Sequence, residues 1–501
     1  MYTIENRAKW WHGIDLDSFQ DASEFLKMIV DGDIVNEHPK KCEGYANDFH
    51  KYLETILIPK MKDQSLEFRY LYSRIYKTGS YYDGLRIVTD SRNTELDINI
   101  VLSLFTPAMN EYFNADDVHI INDEKVVPNG FVKILCDQKR VNGLEHKKGD
   151  KFKTKCNFKR VESDKIFLHP NKTLRWFCDL VKKASREITP HELIGIESFS
   201  EVPKVLNRQG PSQKIQVTID NDGTKTKQFL DVDLVVAFEF DVDLYKTIDY
   251  SNANSYRNLK DEIDACPSFF TIPKMIQTNK EYQKEKQATI KSSSDSLNWR
   301  IDFHEQERII LNALKFPLAK PVIQILKLYK YVHTLTLCSY LIKSVVMGLI
   351  TSESDKHVFF PNNKLDEAVL YTLKVLCSFL EKQMCPYLFD PKCNLFWKTS
   401  PDDLFSIKTK IEKDIERLKC GGIKEWHDLL IKKLPLKDER CYVNRGRDSR
   451  RSEAWKPQVK RNNNYQQIHR ESSSEKYDEE EKIMMLGCVR KPNRVVNRRP
   501  K

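Results

Sequence analysis

The chain has 501 residues, 40% hydrophobic and 31% charged, with a net charge of +10. That length suits two or three domains or one large two-lobed unit, and no apolar stretch reaches the roughly 20 residues of a membrane span; the longest, near 335–350, is broken by Ser339, Lys343 and Ser344. Twelve scattered cysteines without a C-x-x-C pair argue against a disulfide framework and propose no zinc site.

The charge is uneven. Residues 441–501 hold 16 Lys+Arg against 8 Asp+Glu, a net +8, which leaves about +2 for the other 440. A nucleic-acid surface on the folded part must then be a local patch. The chain begins Met-Tyr-Thr-Ile-Glu-Asn-Arg, without the apolar core of a signal peptide, and the expected location is the cytoplasm.

Taken in chain order, residues 14–35 predict a short helix. Residues 43–77 place Ala46, Phe49, Tyr52, Leu53, Ile56 and Leu57, then Phe68, Leu71 and Ile75, three and four apart. This predicts a long helix, which Pro59 must end or kink. Strands are expected at 96–104, 130–135, 215–219 and 231–240, with a helix at 174–184 between them. From Asn298 onward helical periodicity runs through 302–315, 320–350, 365–385 and 402–419. Residues 276–296 are polar and read as a linker; the chain after Lys437 reads as disordered. The expected fold is therefore α+β and two-lobed. A core lobe with a mixed sheet and a long spine helix spans 14–275, an all-helical lobe spans 297–437, and a basic tail spans 438–501.

Chemistry concentrates at 78–97. Gly79 and Ser80 let backbone N–H groups approach a phosphate closely. Glu95 and Asp97 stand two apart, so a strand projects both from one face. Asp233, near the start of the apolar run DVDLVVAFEF, is the best third carboxylate, with Asp231 a weaker neighbour. Glu95, Asp97 and Asp233 could hold two Mg²⁺ ions about 4 Å apart, and Asp233 could draw a proton from an attacking ribose hydroxyl.

At this point the chain resembles a family, the cyclic GMP–AMP synthase-like receptors of the male-abnormal nucleotidyltransferase superfamily. Thr78-Gly79-Ser80-Tyr81-Tyr82 resembles its Gly-Ser motif, Glu95-Leu96-Asp97 its Glu-x-Asp element, and Asp231-Val232-Asp233-Leu234 its third-ligand segment. Trp299-Arg300-Ile301-Asp302-Phe303, Lys327-Leu328-Tyr329-Lys330-Tyr331, Ser339-Tyr340 and Asn394-Leu395-Phe396 follow in the family's order, so the likeness covers roughly residues 40–415. The resemblance implies that Glu95, Asp97 and Asp233 ligate Mg²⁺ or Mn²⁺. It implies that Thr78, Gly79 and Ser80 hold the triphosphate, that Lys330 and Ser339 meet phosphate, and that Tyr340 stacks on a base. Arg300 and Glu307 would contact the second nucleotide. The implied activity joins ATP and GTP into a cyclic dinucleotide as an innate-immune, antiviral signal.

The chain departs from the family's vertebrate member in two places. No cysteine lies between Cys266 and Cys338, so the zinc-binding insertion is absent and no structural zinc is expected. Family serines near the base pocket are here Asp302 and His304, which leaves base choice and product linkage open. Without the insertion, double-stranded RNA is the expected activator rather than DNA, read through phosphates and 2′-hydroxyls. The docking face would use Lys40, Lys41 and Lys51 on the long helix with Arg69 and Arg74, and Arg308, Lys315, Lys320 and Lys327 on the second lobe. A further basic run holds Lys147, Lys148, Lys151, Lys153, Lys155, Lys159 and Arg160. A ligand-induced dimer fits the same picture. Two other readings stand beside it: a catalytically silent member acting as a scaffold, and a linear polymerase or adenylyltransferase acting on RNA.

Overall fold

The computed structural model describes residues 14–32, 39–87, 93–122, 127, 129–142, 158–161, 165–208, 210–219, 228–244, 266–273, 297–352, 354–396 and 399–432. The tail at 438–501, the linker at 276–296 and residues 143–157 of the basic run lie outside these.

The strands in chain order are β1 Tyr72–Thr78, β2 Asn93–Leu102, β3 Val118–Ile121, β4 Phe131–Cys136, β5 Phe158–Val161, β6 Lys165–Leu168, β7 Lys204–Val205, β8 Ser212–Ile219, β9 Gln228–Asp241, β10 Ser268–Ile272 and β11 Trp299–Asp302. Among the described residues they form one mixed sheet, running β1-β2-β9-β10-β11-β4-β6-β5, with β8 also on β9. Strand β2 is parallel to β9 and antiparallel to β1.

Alternation decides which face of this sheet is dry. On β2, Leu96, Ile98, Ile100 and Leu102 are buried. On β9, Leu230, Val232, Leu234, Val236, Phe238 and Phe240 do the same. The intervening positions, Glu95 and Asp97 on β2 and Asp231 and Asp233 on β9, therefore share the opposite face.

The long helix differs from its expected course. Residues 39–64 (α2) run as α-helix over Pro39–Tyr52, as a π-helical turn over Leu53–Leu57, and as α-helix over Ile58–Gln64. The N–H of Ile58 reaches the carbonyl of Leu53, five residues back. This wider turn resets the ladder so that Pro59 falls in the first turn of the following segment, where its missing N–H costs little. Pro59 therefore does not end the helix. Ser65 does: it caps a separate short helix, Leu66–Leu71 (α3), by accepting from the N–H of Phe68. Residues 72–77, read as helix from their apolar spacing, are strand β1.

Helix Pro170–Arg186 (α4) packs on the last segment of α2. The second lobe comprises His304–Asn312 (α5), Ala319–Val332 (α6), Ser339–Thr351 (α7), Leu365–Glu381 (α8) and Pro401–Leu430 (α9). The periodicity at 320–350 belongs to two helices, separated where Thr334 takes a φ of 51°. The lobe also contains a hairpin, Pro386–Tyr387 with Asp390–Asn394, and the Trp299–Asp302 segment joins the sheet instead of a helix. The first helix, Ala22–Asp31 (α1), packs with α8, α6 and α9 although it precedes the sheet in sequence. Its Ser23 hydroxyl accepts from the N–H of Leu365 at 2.9 Å.

One buried group in α3 makes stability depend on pH. Glu67 is 6% exposed and its Oε1 has no hydrogen-bond partner among the described residues. Burial pushes its carboxyl up to about 7. The folded state then holds a proton that the unfolded chain has released, so stability falls as pH rises from about 4.5 through about 7. Glu67→Gln should raise Tm by several degrees at pH 8 and leave it unchanged at pH 4, measured by thermal melts at both values.

Candidate active site

Strand register assembles the acidic centre. Thr78 on β1 faces Asp97 on β2, Asp97 faces Asp233 on β9, and Asp233 faces Lys214 on β8. The neighbouring row is Glu95, Asp231 and Gln216. Adjacent strands lie roughly 4.8 Å apart, so Asp97 and Asp233 are forced together although 136 positions separate them in sequence.

The two central carboxylates are under electrostatic strain. Burial, followed by the charge of Asp233, pushes the Asp97 carboxyl up to about 6. Burial also raises Asp233, against the opposing charge of Lys214 and a hydrogen bond from Ser212. The Oδ1 of Asp233 is buried without a hydrogen-bond partner among the described residues. Asp231 is better served: Gln216 donates to it at 2.9 Å and Lys214 stands 3.5 Å away. Glu95 is open, with a side chain 76% exposed and 4.0 Å from the Lys214 ammonium. Among the described residues no three His, Cys, Asp or Glu side chains are yet gathered closely enough to hold a metal ion. The unsatisfied Asp233 oxygen and the raised carboxyls are what a bound cation would relieve, so this donor set fits a divalent metal.

The Gly-Ser turn lies directly on this centre. Gly79 has a φ of +81°, and a Cβ added to it would stand 2.0 Å from Oδ2 of Asp97. Residues Gly79–Tyr82 make one helical turn, closed by the N–H of Asp83 to the Gly79 carbonyl at 3.1 Å and of Leu85 to the Ser80 carbonyl at 2.8 Å. Both the φ and the clash demand glycine. Gly79→Ala should therefore displace Asp97 or the turn and lower nucleotide-dependent product formation at least tenfold, roughly the rate equivalent of the 1–2 kcal/mol cost of a left-handed alanine. The check is initial rate against the wild-type protein, with the fold confirmed by circular dichroism.

A second cluster brings Arg300 of β11 together with Glu307 of α5 and Tyr340 of α7. The Tyr340 hydroxyl donates to Oε1 of Glu307, and the Arg300 guanidinium lies 5.6 Å from the Tyr340 ring centre. Burial and the Glu307 charge raise the Tyr340 hydroxyl well above its ordinary value, so it remains a donor. His304 pairs with Asp302, whose Oδ2 is buried and unpartnered among the described residues. Lys330 lies half-exposed near the end of α6, and Ser339 is the first residue of α7.

Residues that the sequence did not single out tie the two lobes together. Asp83, 3% exposed and next to the Gly-Ser turn, accepts from Arg308 at 3.1 Å and from Lys343 at 2.8 Å. Lys343 also pairs with Glu307 at 3.0 Å, and the Tyr387 hydroxyl reaches Glu307 at 3.4 Å. Burial opposes the charge on Asp83, but Lys343 and Arg308 outweigh it and hold the carboxyl below its usual value. Lys214 was likewise unmarked; as a lysine on an otherwise apolar and polar-neutral strand facing Asp233, it is visible only once the register is known.

Several basic residues expected on a docking face have partners within the molecule. Arg74 bridges Glu239 and Glu305 at 2.7 and 2.8 Å. Arg69 pairs with Asp63 at 3.1 Å, and Lys51 donates to the Gly195 carbonyl at 3.0 Å. Lys327 donates to the Leu85 carbonyl, and burial lowers its ammonium to about 8. Lys320 donates to Asn312 at 2.6 Å, and Lys315 is exposed beside Phe316. Lys40 and Lys41 lie in α2, Lys159 and Arg160 in β5, with side chains outside the described residues.

A mixed sheet that sets paired aspartates beside a glycine turn, joined to a helical lobe, is the arrangement of a nucleotidyltransferase. The Mab-21 protein nucleotidyltransferase domain matches residues 81–313 and the Mab-21 protein HhH/H2TH-like domain matches residues 318–413, so the chain belongs to the Mab-21 nucleotidyltransferase family. It is similar to a cyclic GMP-AMP synthase-like receptor of Tribolium castaneum, 28% identical over 73% of this chain and 82% of that one. It is also similar to those of Aethina tumida, at 23% over 78% and 88%, and Nicrophorus vespilloides, at 25% over 73% and 85%. No helix among the described residues is long and apolar enough to cross a membrane.

Proposed function

We propose that this protein senses double-stranded RNA in the cytoplasm and answers by joining ATP and GTP into a cyclic dinucleotide. The observation that carries the reading is the single row Thr78–Asp97–Asp233, closed over by Gly79. The similarity to cyclic GMP-AMP synthase-like receptors supports the choice of product class.

In this reading Glu95, Asp97 and Asp233 hold Mg²⁺ or Mn²⁺, which would neutralise triphosphate charge and assist the attacking hydroxyl. Gly79 and Ser80 present backbone to the triphosphate, with Thr78 beneath them. Asp233, whose Oδ1 is unpartnered among the described residues, accepts the proton of the attacking ribose hydroxyl. Tyr340 offers a ring face to a base, Glu307 accepts from a base edge, and Arg300 approaches the second nucleotide. Lys330 and Ser339 contact phosphate. The acidic face of the sheet thus supplies chemistry, and the helical lobe, with Arg300 of β11, supplies selection. Lys40, Lys41, Lys51, Lys315 and Lys320, with the basic tail, engage the nucleic-acid backbone, and binding favours a dimer.

The test incubates purified protein with labelled ATP and GTP, Mg²⁺ or Mn²⁺, and either duplex RNA or duplex DNA. Product is resolved by chromatography. A cyclic dinucleotide formed with RNA and not DNA is expected. A linear ladder would favour an RNA-extending polymerase, and binding of RNA without any product would favour a silent scaffold.

A further inference from the structure

Arg308 meets both ends of the Gly-Ser turn at once. Its Nη2 donates to the carbonyl of Lys77, just before the turn, and its Nε donates to Oδ1 of Asp83, just after it. The guanidinium lies 5.1 Å from the ring centre of Tyr76, one residue further back on β1. Arg308 belongs to α5 of the helical lobe, whereas the turn belongs to the sheet lobe. On the same carboxylate, Oδ2 of Asp83 accepts from Lys343 of α7, itself fixed by Glu307.

The turn needs such support. It is four residues long, opens at a glycine of positive φ, and is held internally by a few backbone hydrogen bonds. Four residues cannot sustain a helix alone. Yet its backbone must stay within contact distance of Asp97 to serve a phosphate there. A guanidinium fits this task because its planar fork delivers several donors in fixed relative directions. The ammonium of Lys343, nearly buried, adds a second charge without competing for the same oxygen.

We propose that Arg308 staples the two ends of the Gly79–Tyr82 turn and, together with Lys343, acts as a positioning residue that holds the turn's backbone against Asp97 for triphosphate binding. This rests on reading the turn as the triphosphate cradle. Through Glu307 the same chain of contacts reaches Tyr340, so occupancy of the base side and the order of the phosphate side are physically joined.

The test uses the full chain, with Arg308→Gln and Arg308→Lys as variants; Arg308 is 26% exposed and Asp83 keeps Lys343, so both should fold. Hydrogen exchange of the Asp83, Gly84 and Leu85 amides should accelerate about tenfold in Arg308→Gln relative to α6 amides, as expected for loss of one hydrogen bond to a charged group. Arg308→Lys should show a smaller change. With Mg²⁺ present, ATP affinity should weaken about tenfold in Arg308→Gln while AMP affinity stays within twofold. Unchanged exchange overturns the staple. Equal weakening of ATP and AMP overturns its role toward the triphosphate. If the exchange responds but the wild-type protein binds no ATP, the cradle reading fails and the positioning role falls with it.

Discussion

Asp97→Ala is expected to lower nucleotide product formation by on the order of 1,000-fold while leaving duplex RNA binding unchanged. Asp97 occupies the middle of the acidic row, between Thr78 and Asp233 and beneath Gly79. Removing it takes away the one carboxylate shared by the turn and the strand pair. A cation held there would contribute several kcal/mol to charge stabilisation, and each 1.4 kcal/mol is about tenfold in rate. RNA binding should persist because Asp97 lies in the acidic row beside Gly79 and carries no positive charge. Folding should also persist, since burial already disfavours the ionised carboxyl and pushes it up to about 6. Rates by product chromatography and affinities by filter binding check both halves. Retained activity would remove Asp97 from the chemistry; loss of RNA binding would mean that the variant damages more than the site.

Lys343→Met should destabilise the protein by about 3–5 kcal/mol, the cost of removing one partner of a buried ion pair. Lys343 is 7% exposed and answers two carboxylates, Asp83 at 2.8 Å and Glu307 at 3.0 Å. Methionine matches its length but leaves both acids facing one another across a dry interface. Arg308 can still hold Asp83, whereas among the described residues Glu307 keeps the hydroxyls of Tyr340 and Tyr387. Adding Glu307→Gln to Lys343→Met should restore part of the loss, because one of the stranded charges is then gone. Urea unfolding of the single and double variants measures this. A cost below about 1 kcal/mol for Lys343→Met would show that the contact is not a buried pair in solution.

Much of the sheet lobe was legible because alternation writes itself into sequence. Leu96 to Leu102 and Leu230 to Phe240 each show every second residue apolar, and the acidic positions fall between. The motif order then placed Glu95, Asp97 and Asp233 together. The register that sets Asp97 against Asp233 is a long-range pairing that no local pattern encodes. Periodicity misread 72–77 as helix because Phe68, Leu71 and Ile75 keep helical spacing across the Ser65 break and the α3–β1 junction. Pro59 looked like a stop or a kink because an α-helical ladder has no place for it; a π turn, with Leu53 and Leu57 buried, makes one. Lys343 was visible only as a charge interrupting an apolar run, and Asp83 only as a residue following two tyrosines. Their meaning is their pairing, and a pairing between positions 260 residues apart appears only when the two lobes meet.

The most direct measurement of the central claim is pyrophosphate release and product identity from α-labelled ATP with GTP, Mg²⁺ and duplex RNA, run with the wild-type protein and Asp233→Asn side by side. The account predicts RNA-dependent release of pyrophosphate with a cyclic dinucleotide from the wild-type protein and neither from Asp233→Asn. No nucleotide product from the wild-type protein with either Mg²⁺ or Mn²⁺ and with either RNA or DNA, or equal product from Asp233→Asn, would contradict it.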